Sequence, residues 1–342
     1  MGLAPGRRVR LYDGYIEMRQ KLHNGELTAE EAMSVTDFPT YITKYLRHTF
    51  LNRFTEIQGQ WTKYTKEFSL EDFEEYTSSK FGRFTDIPER APNSPYEKLV
   101  MREYDGPKLK LKEWGAAFDV TRRLVIADRL GKIQEMPKLA AEALARTMSK
   151  RAAITVFQSN PTMWDGNALF SAAHGNLTTT ALTADVTGMG VVKTADLKFD
   201  DMTDEEGYTI VTPAGRTLII PTELRYVARA INENELLPNG ASALEANQVK
   251  GIWSEIIIEP FFTDANNWYM AADLKGDFAI FAQVTLNGNQ TPFIGLKDPG
   301  VRAVLGGEDP YSFEFDEISY KLRHDYDFIP IEWRGVIGAI VP

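Results

Sequence analysis

The segment WDGNALFSAAHGN, residues 164–176, brings Asp165, Ser171 and His174 close together in sequence. These are the residue types of an acyl-transfer triad. A working triad, however, draws its members from separate elements so that each is oriented independently. Three candidates on one short loop do not meet that need, and Ser171 lacks the G-x-S-x-G context of a nucleophile elbow. Asp165-Gly166 and Gly175-Asn176 are turn formers that bracket the segment. We therefore expect a folded connector in which Ser171 and His174 hydrogen-bond the loop. A soluble hydrolase using Ser171 and His174 is the competing reading.

Upstream, Ala140, Leu144, Met148, Ala152 and Val156 repeat at i+4 beside Leu139, Ala143 and Thr147, which predicts a helix from Met136 to about Phe157. Pro137 suits its first turn. An earlier helix is expected from Asp37 and Pro39 to about Gly59, and a capping box at Thr28 and Glu31 predicts a short one before it. Downstream come a strand at 217–221, a helix from Thr222 to about Asn232, the strand SEIIIEP, and WYMAAD ahead of GDFAIFAQ. This alternation is α+β in character. EISYKLRHDY and FIPIEWRGVIGAIV read as two strand runs joined by a short turn, with Pro330 at an edge or bulge.

Between the first long helix and the second lies a loop with Pro88, Pro92 and Pro95, which can be neither a helix interior nor a central strand. KLVMREY and KLKLKEW flank Asp105-Gly106-Pro107 and predict a two-stranded ribbon turning there. Two isolated strands are marginal in water, so the ribbon needs support, and a neighbouring copy is the natural source.

Composition narrows the chemistry further. With 342 residues, 43% hydrophobic and 25% charged, the chain has ample material for a core. It contains no cysteine, which removes disulfides, thiolate metal sites and thiol nucleophiles. A net charge of −10 disfavours a continuous polyanion-binding face, although Arg7, Arg8, Arg10, Arg19 and Lys21 outnumber acids near the start. No metal ligand spacing is present; His324, Asp325 and Asp327 in HDYDF are expected in a hairpin turn, and no metal or cofactor is expected. No nucleotide-binding glycine motif occurs. No apolar run of membrane-spanning length and no signal-peptide pattern is seen, so a soluble, cytosolically made protein without membrane contact is expected. An arm, a ribbon, a strut helix and many aromatic residues would leave apolar surface exposed in a monomer, which points to self-assembly.

Taken in order, WGAAFDVTRRLVIADRLGKI, PKLAAEALARTMSKRAAITVF, DGNALFSAAHGNL, RTLIIPTELRYVARAI, IIIEP, NNWYMAAD and EWRGVIGAIV resemble the major capsid proteins of tailed bacteriophages, in the Mu-like major head subunit branch. The resemblance covers roughly residues 40–341. Asp165, Gly166, Phe170, Ser171, His174, Gly175 and Asn176 are its signature, read together with LIIPTEL downstream. It implies an α+β, Hong Kong 97-type capsid fold. On that map residues 1–36 are an N-terminal arm, 37–77 the opening helix and strand of a peripheral lobe, and 78–116 an extended loop. Residues 117–199 continue the peripheral lobe with a spine helix at 136–158, 200–310 form the axial lobe, and 311–342 return to the peripheral lobe.

The resemblance implies a non-enzymatic shell of pentamers and hexamers around a double-stranded DNA genome, assembled in the bacterial host cytoplasm. Expected partners are a separate scaffolding protein, a portal and a decoration protein, with weak non-specific contact to packaged DNA. Arg90, Tyr96, Arg102 and Trp114 are expected at subunit interfaces. Lys98, Lys108, Lys110 and Lys112 are expected in intersubunit ion pairs rather than covalent crosslinks. An encapsulin-like cargo compartment is the alternative within this fold.

Overall fold

The computed structural model describes residues 38–82, 84–123 apart from nine positions between 85 and 122, 135–213, 215–240, 243–272, 274–276, 279–297 and 317–342. The expected arm at 1–36, with its Thr28–Glu31 capping box, lies outside the described residues. The described chain divides into two compact units.

The larger unit comprises residues 59–112, 146–289 and 326–342. Its main sheet has five strands: β5 (Leu177–Thr178), β6 (Arg216–Ile220), β9 (Trp253–Ile258), β10 (Trp268–Ala271) and β14 (Val336–Ala339), in the order β5-β14-β10-β6-β9. Leu218, Ile219 and Ile220 are all fully buried, as are Trp268 to Ala271. Such continuous apolar runs are what strands covered on both faces require. On one face Leu218, Trp268, Met270 and Ile337 meet Met189, Val192 and Phe199 of helix α4 (Val186–Asp200), with Ala228 and Ile231 of helix α5 (Arg225–Glu233). On the other, Tyr269 packs with Phe157, Phe170 and Phe262 at ring-centroid distances of 4.7, 5.2 and 5.5 Å. Each such side chain contributes about 1.5–3 kcal/mol on full burial. A methyl group at Gly338 would collide with the ring of Phe170, so only glycine lets that ring lie against the sheet.

A second layer pairs β1 (Thr65–Leu70) in parallel with β11 (Phe281–Leu286), whose other edge takes Tyr326–Pro330 antiparallel. Ala282 and Val284 are buried there with Leu109 and Leu111. The expected ribbon exists, with a correction to its pairing. It is made by β2 (Tyr76–Phe81) and β3 (Glu103–Leu109), and Asp105-Gly106-Pro107 lies inside β3 instead of at a turn. The register shifts between Thr77 and Ser79, opposite Gly106 and Pro107. A bulge tolerates a residue without an amide donor, which is how proline enters this strand.

The smaller unit comprises the described parts of residues 1–58, 113–145 and 290–325. Helix α1 (Phe38–Glu56) is present, and its Arg53 pairs with Glu142 at 2.6 Å. Strand β13 (Glu317–Pro330) pairs through its first nine residues with β4 (Glu113–Thr121), and also with β12 (Phe293–Leu296). Ile318, Tyr320, Leu322 and His324 alternate inward, and Phe54 meets the His324 ring edge-on at 6.4 Å.

This corrects the expected hairpin turn at HDYDF. The period-2 burial runs straight through His324 to Tyr326 and Phe328, so His324, Asp325 and Asp327 are strand residues. The chain turns instead after Pro330, which closes the strand, and Gly335 carries a φ of +88°. The helix expected from Met136 forms as helix α3 (Met136–Lys150), but Arg151–Gln158 widen into π geometry, with Ser159 N donating to Ile154 O at 2.9 Å.

Candidate functional site

The segment 160–176 leaves the π turn and folds back on itself through contacts of its own. Asn160 clamps the backbone of Phe170 twice: its Nδ2 donates to Phe170 O at 2.9 Å and its Oδ1 accepts Phe170 N at 2.7 Å. Thr162 and Ala168 form a β-bridge, and Gly166 and Gly175 take left-handed φ values of +85° and +67° at the two turns. Asn176, fully buried, accepts Ser171 N on Oδ1 and donates Nδ2 to Leu169 O at 2.8 Å.

His174 occupies the centre of this loop. Its Nε2 lies 2.6 Å from Asp165 Oδ2 and its Nδ1 3.1 Å from Leu169 O. The ring stacks on Trp333 at 4.4 Å and 3°. Hydrogen bonds from Asn167 and His174 hold the Asp165 carboxyl below its usual range, against an opposing push from burial. Ser171 Oγ accepts the backbone N–H of His174 at 3.2 Å. Both imidazole nitrogens are thus engaged elsewhere, and neither is positioned as a base for Ser171. The three residues meet as architecture. Asn160 and Trp333 carry no motif of their own, so the sequence does not single them out.

The expected interface residues fall into two groups. Arg90 lies over the ring of Tyr96 at 4.3 Å, and Tyr96 is 81% exposed. Phe81, Phe84 and Ile87 nearby are 63%, 52% and 85% exposed, so these three and Tyr96 present large apolar side chains to solvent. Arg102, Lys98 and Lys110 are exposed as well. Lys108 and Lys112, by contrast, are paired within the chain, to Glu75 at 3.0 Å and Asp327 at 2.8 Å. Trp114 sits opposite His324 in the β4–β13 register. Among the described residues no cluster of metal ligands occurs, and no helix is long and apolar enough to cross a membrane.

Glu259 and His324 are two of the buried groups that titrate away from their ordinary values. Burial raises Glu259 to about 7, despite hydrogen bonds from Phe261 N and Tyr64 Oη. It lines a cavity of about 440 Å³ with Lys63, Arg225, Ile258 and Phe261. Burial lowers His324 to about 4. Stability contributed by the raised Glu259 is present below pH 4.5 and lost as pH rises through about 7. Stability contributed by the depressed His324 is present above pH 6.5 and lost as pH falls through about 4. Urea denaturation should show Glu259→Gln gaining roughly 2–3 kcal/mol on wild type between pH 5 and pH 8. An unchanged difference across that range would contradict the assignment.

The family model for phage capsid protein matches residues 106–339. No curated protein matches the chain. Among solved structures, one from Microbacterium phage Oxtober96 aligns at a TM-score of 0.52 and 10% identity, covering 83% of this chain and 91% of that one. One from Mycobacterium phage Adephagia aligns at 0.51 and 10% identity, covering 83% and 90%. The capsid of a native GTA particle aligns at 0.49 and 11% identity, covering 81% and 88%.

Proposed function

Since this chain belongs to the phage capsid protein family, we propose that it closes into an icosahedral shell of pentamers and hexamers around the double-stranded DNA of a tailed phage. It is a structural major capsid protein, and its fold is shared with the phage structures described above. The observation that best supports the shell reading is a stretch in which the apolar side chains of Phe81, Phe84, Ile87 and Tyr96 are exposed, a surface that a neighbouring copy would cover. Arg90 over Tyr96 gives that stretch the Arg and aromatic character of interface anchors.

The finer map follows the same proposal: an arm at 1–36, an extended loop at 78–116, a spine helix at 136–158 and an axial lobe at 200–310. The Mu-like branch rests on the 165–176 signature and LIIPTEL. Scaffolding, portal and decoration proteins, weak DNA contact and assembly in the host cytoplasm complete the reading. A non-enzymatic role is supported by the occupied ring of His174.

Purified protein viewed by negative-stain microscopy and sized by chromatography should yield closed, uniform particles. A stable monomer that hydrolyses esters, with activity lost in His174→Ala, would overturn the shell reading.

A further inference from the structure

The stretch that exposes Phe81, Phe84, Ile87 and Tyr96 can dock on a neighbour only if the ribbon that carries it leaves the subunit at a fixed angle. Two strands alone do not hold an angle. The outer end of the ribbon, where Lys80 stands opposite Tyr104 next to that stretch, is held to the folded subunit by one side chain in particular. Lys80 Nζ is ion-paired to Glu332 Oε2 and lies 4.2 Å over the ring of Trp164. Lys80 and Glu332 side chains are only 22% and 12% exposed, so the pair is partly shielded from water and salt. Tyr104 Oη on the opposite strand adds a hydrogen bond to Glu206 at 3.3 Å.

The partners of Lys80 have their own support. Glu332 Oε1 accepts the N–H groups of Trp333 and Arg334 at 3.0 and 3.1 Å and the Arg334 guanidinium at 3.2 Å. Arg334 is itself tied to Thr203 O at 2.8 Å and Glu205 at 2.9 Å. The two dipeptides 164–165 and 332–333 then divide their side chains in the same way. Trp164 and Glu332 face Lys80, while Asp165 and Trp333 face His174. His174 and Lys80 do not need to touch to act together: each joins the same two backbone segments from its own side.

We propose that Lys80 is a positioning residue for shell assembly, seating the β2–β3 ribbon on the folded subunit, and that the His174 loop serves to hold its two partners in register. This rests on the shell reading given above. It assigns the signature segment 164–176 a role in presenting a distant surface rather than in any chemistry of its own.

Lys80→Met keeps most of the stem and removes the charge, whereas Lys80→Arg keeps the charge and can still lie over Trp164. Amide exchange in Lys80→Met subunits should be about ten-fold faster across β2 and β3 and unchanged in the β6–β10–β14 sheet, the usual sign of local opening. The yield of closed shells, read by light scattering and microscopy, should fall by about ten-fold, with Lys80→Arg close to wild type. Trp164→Leu, which leaves the ion pair in place, should shift both readouts in the same direction by less. Wild-type shell yield from Lys80→Met would overturn the proposal. So would faster exchange in the central sheet together with the ribbon, because Lys80 would then support the fold as a whole. Failure of the wild-type chain itself to form shells would sink the shell reading, while the exchange pattern would still decide whether Lys80 seats the ribbon.

Discussion

His174→Ala should destabilise the isolated subunit by about 3 kcal/mol in urea denaturation, because it removes a buried ring and both of its hydrogen bonds at once. The ring is nearly fully buried and lies flat on Trp333, so its loss leaves a void that Trp333 cannot fill without breaking its own stack with Arg334. Leu169 O keeps Asn176 and Asp165 keeps Asn167, so no acceptor is orphaned and the loss stays near that value. Ser171→Ala, which removes one hydrogen bond, should cost about 1 kcal/mol. This contrast separates architecture from catalysis. A nucleophile and its base would be equally indispensable to turnover, whereas here the histidine should matter far more than the serine, and to stability. If His174 and Lys80 act through shared segments, the costs of His174→Ala and Lys80→Met should combine non-additively in a double-mutant cycle, although no contact joins them.

Asp327→Ala should cost about 3 kcal/mol or more, at the lower end of what breaking a buried ion pair costs. Its carboxylate, 4% exposed, receives Arg151 through Nε at 2.9 Å and Nη2 at 3.2 Å, Lys112 at 2.8 Å, and the backbone N–H of Phe328. Arg151 opens the π turn, so this cluster ties that turn to the strand that carries Asp327. Lys112 is half exposed and regains water when its partner goes, which keeps the effect from rising further. Asp327→Asn keeps the shape and one acceptor and should lose less. A thermal melt in which the two substitutions are indistinguishable from wild type would show that the cluster is dispensable.

The sequence showed clearly what is encoded by local period. The i+4 apolar repeat located the helix from Met136, and the runs at TLIIP and SEIIIEP located two sheet strands to within two residues. The π widening at Arg151 was not legible, since Ala152 and Val156 keep the same spacing in either helix form. HDYDF misled because Asp and His are turn formers in isolation, while the deciding signal was the alternation of Ile318, Tyr320, Leu322 and His324 across a longer window. Asp105-Gly106-Pro107 misled in the same manner: a turn sequence was used to pass proline through a bulge whose partner strand lies upstream. At the candidate site the loop was legible, because Asp165, Ser171, His174 and Asn176 interact within one short segment. Trp333, Glu332 and Lys80 were not, because their partners are far away in sequence and nothing local announces them.

The parallel pairings bear on timing. β1 finds its partner β11, and β5 finds β14, only across intervals on the order of 200 and 160 residues of chain, and such non-local pairing is slow to close. On a ribosome these two early strands must wait without any strand partner until residues 281–286 and 336–339 have been made. A chain broken off before Val336 leaves β5 and β10 without the strand that lies between them. The fold therefore inspects its own completeness: a subunit acquires its finished body, and with it a firmly mounted ribbon, only after nearly all of the described sequence has been synthesised. On the proposed shell, a truncated copy would lack that mounting and would offer its neighbours a defective tile.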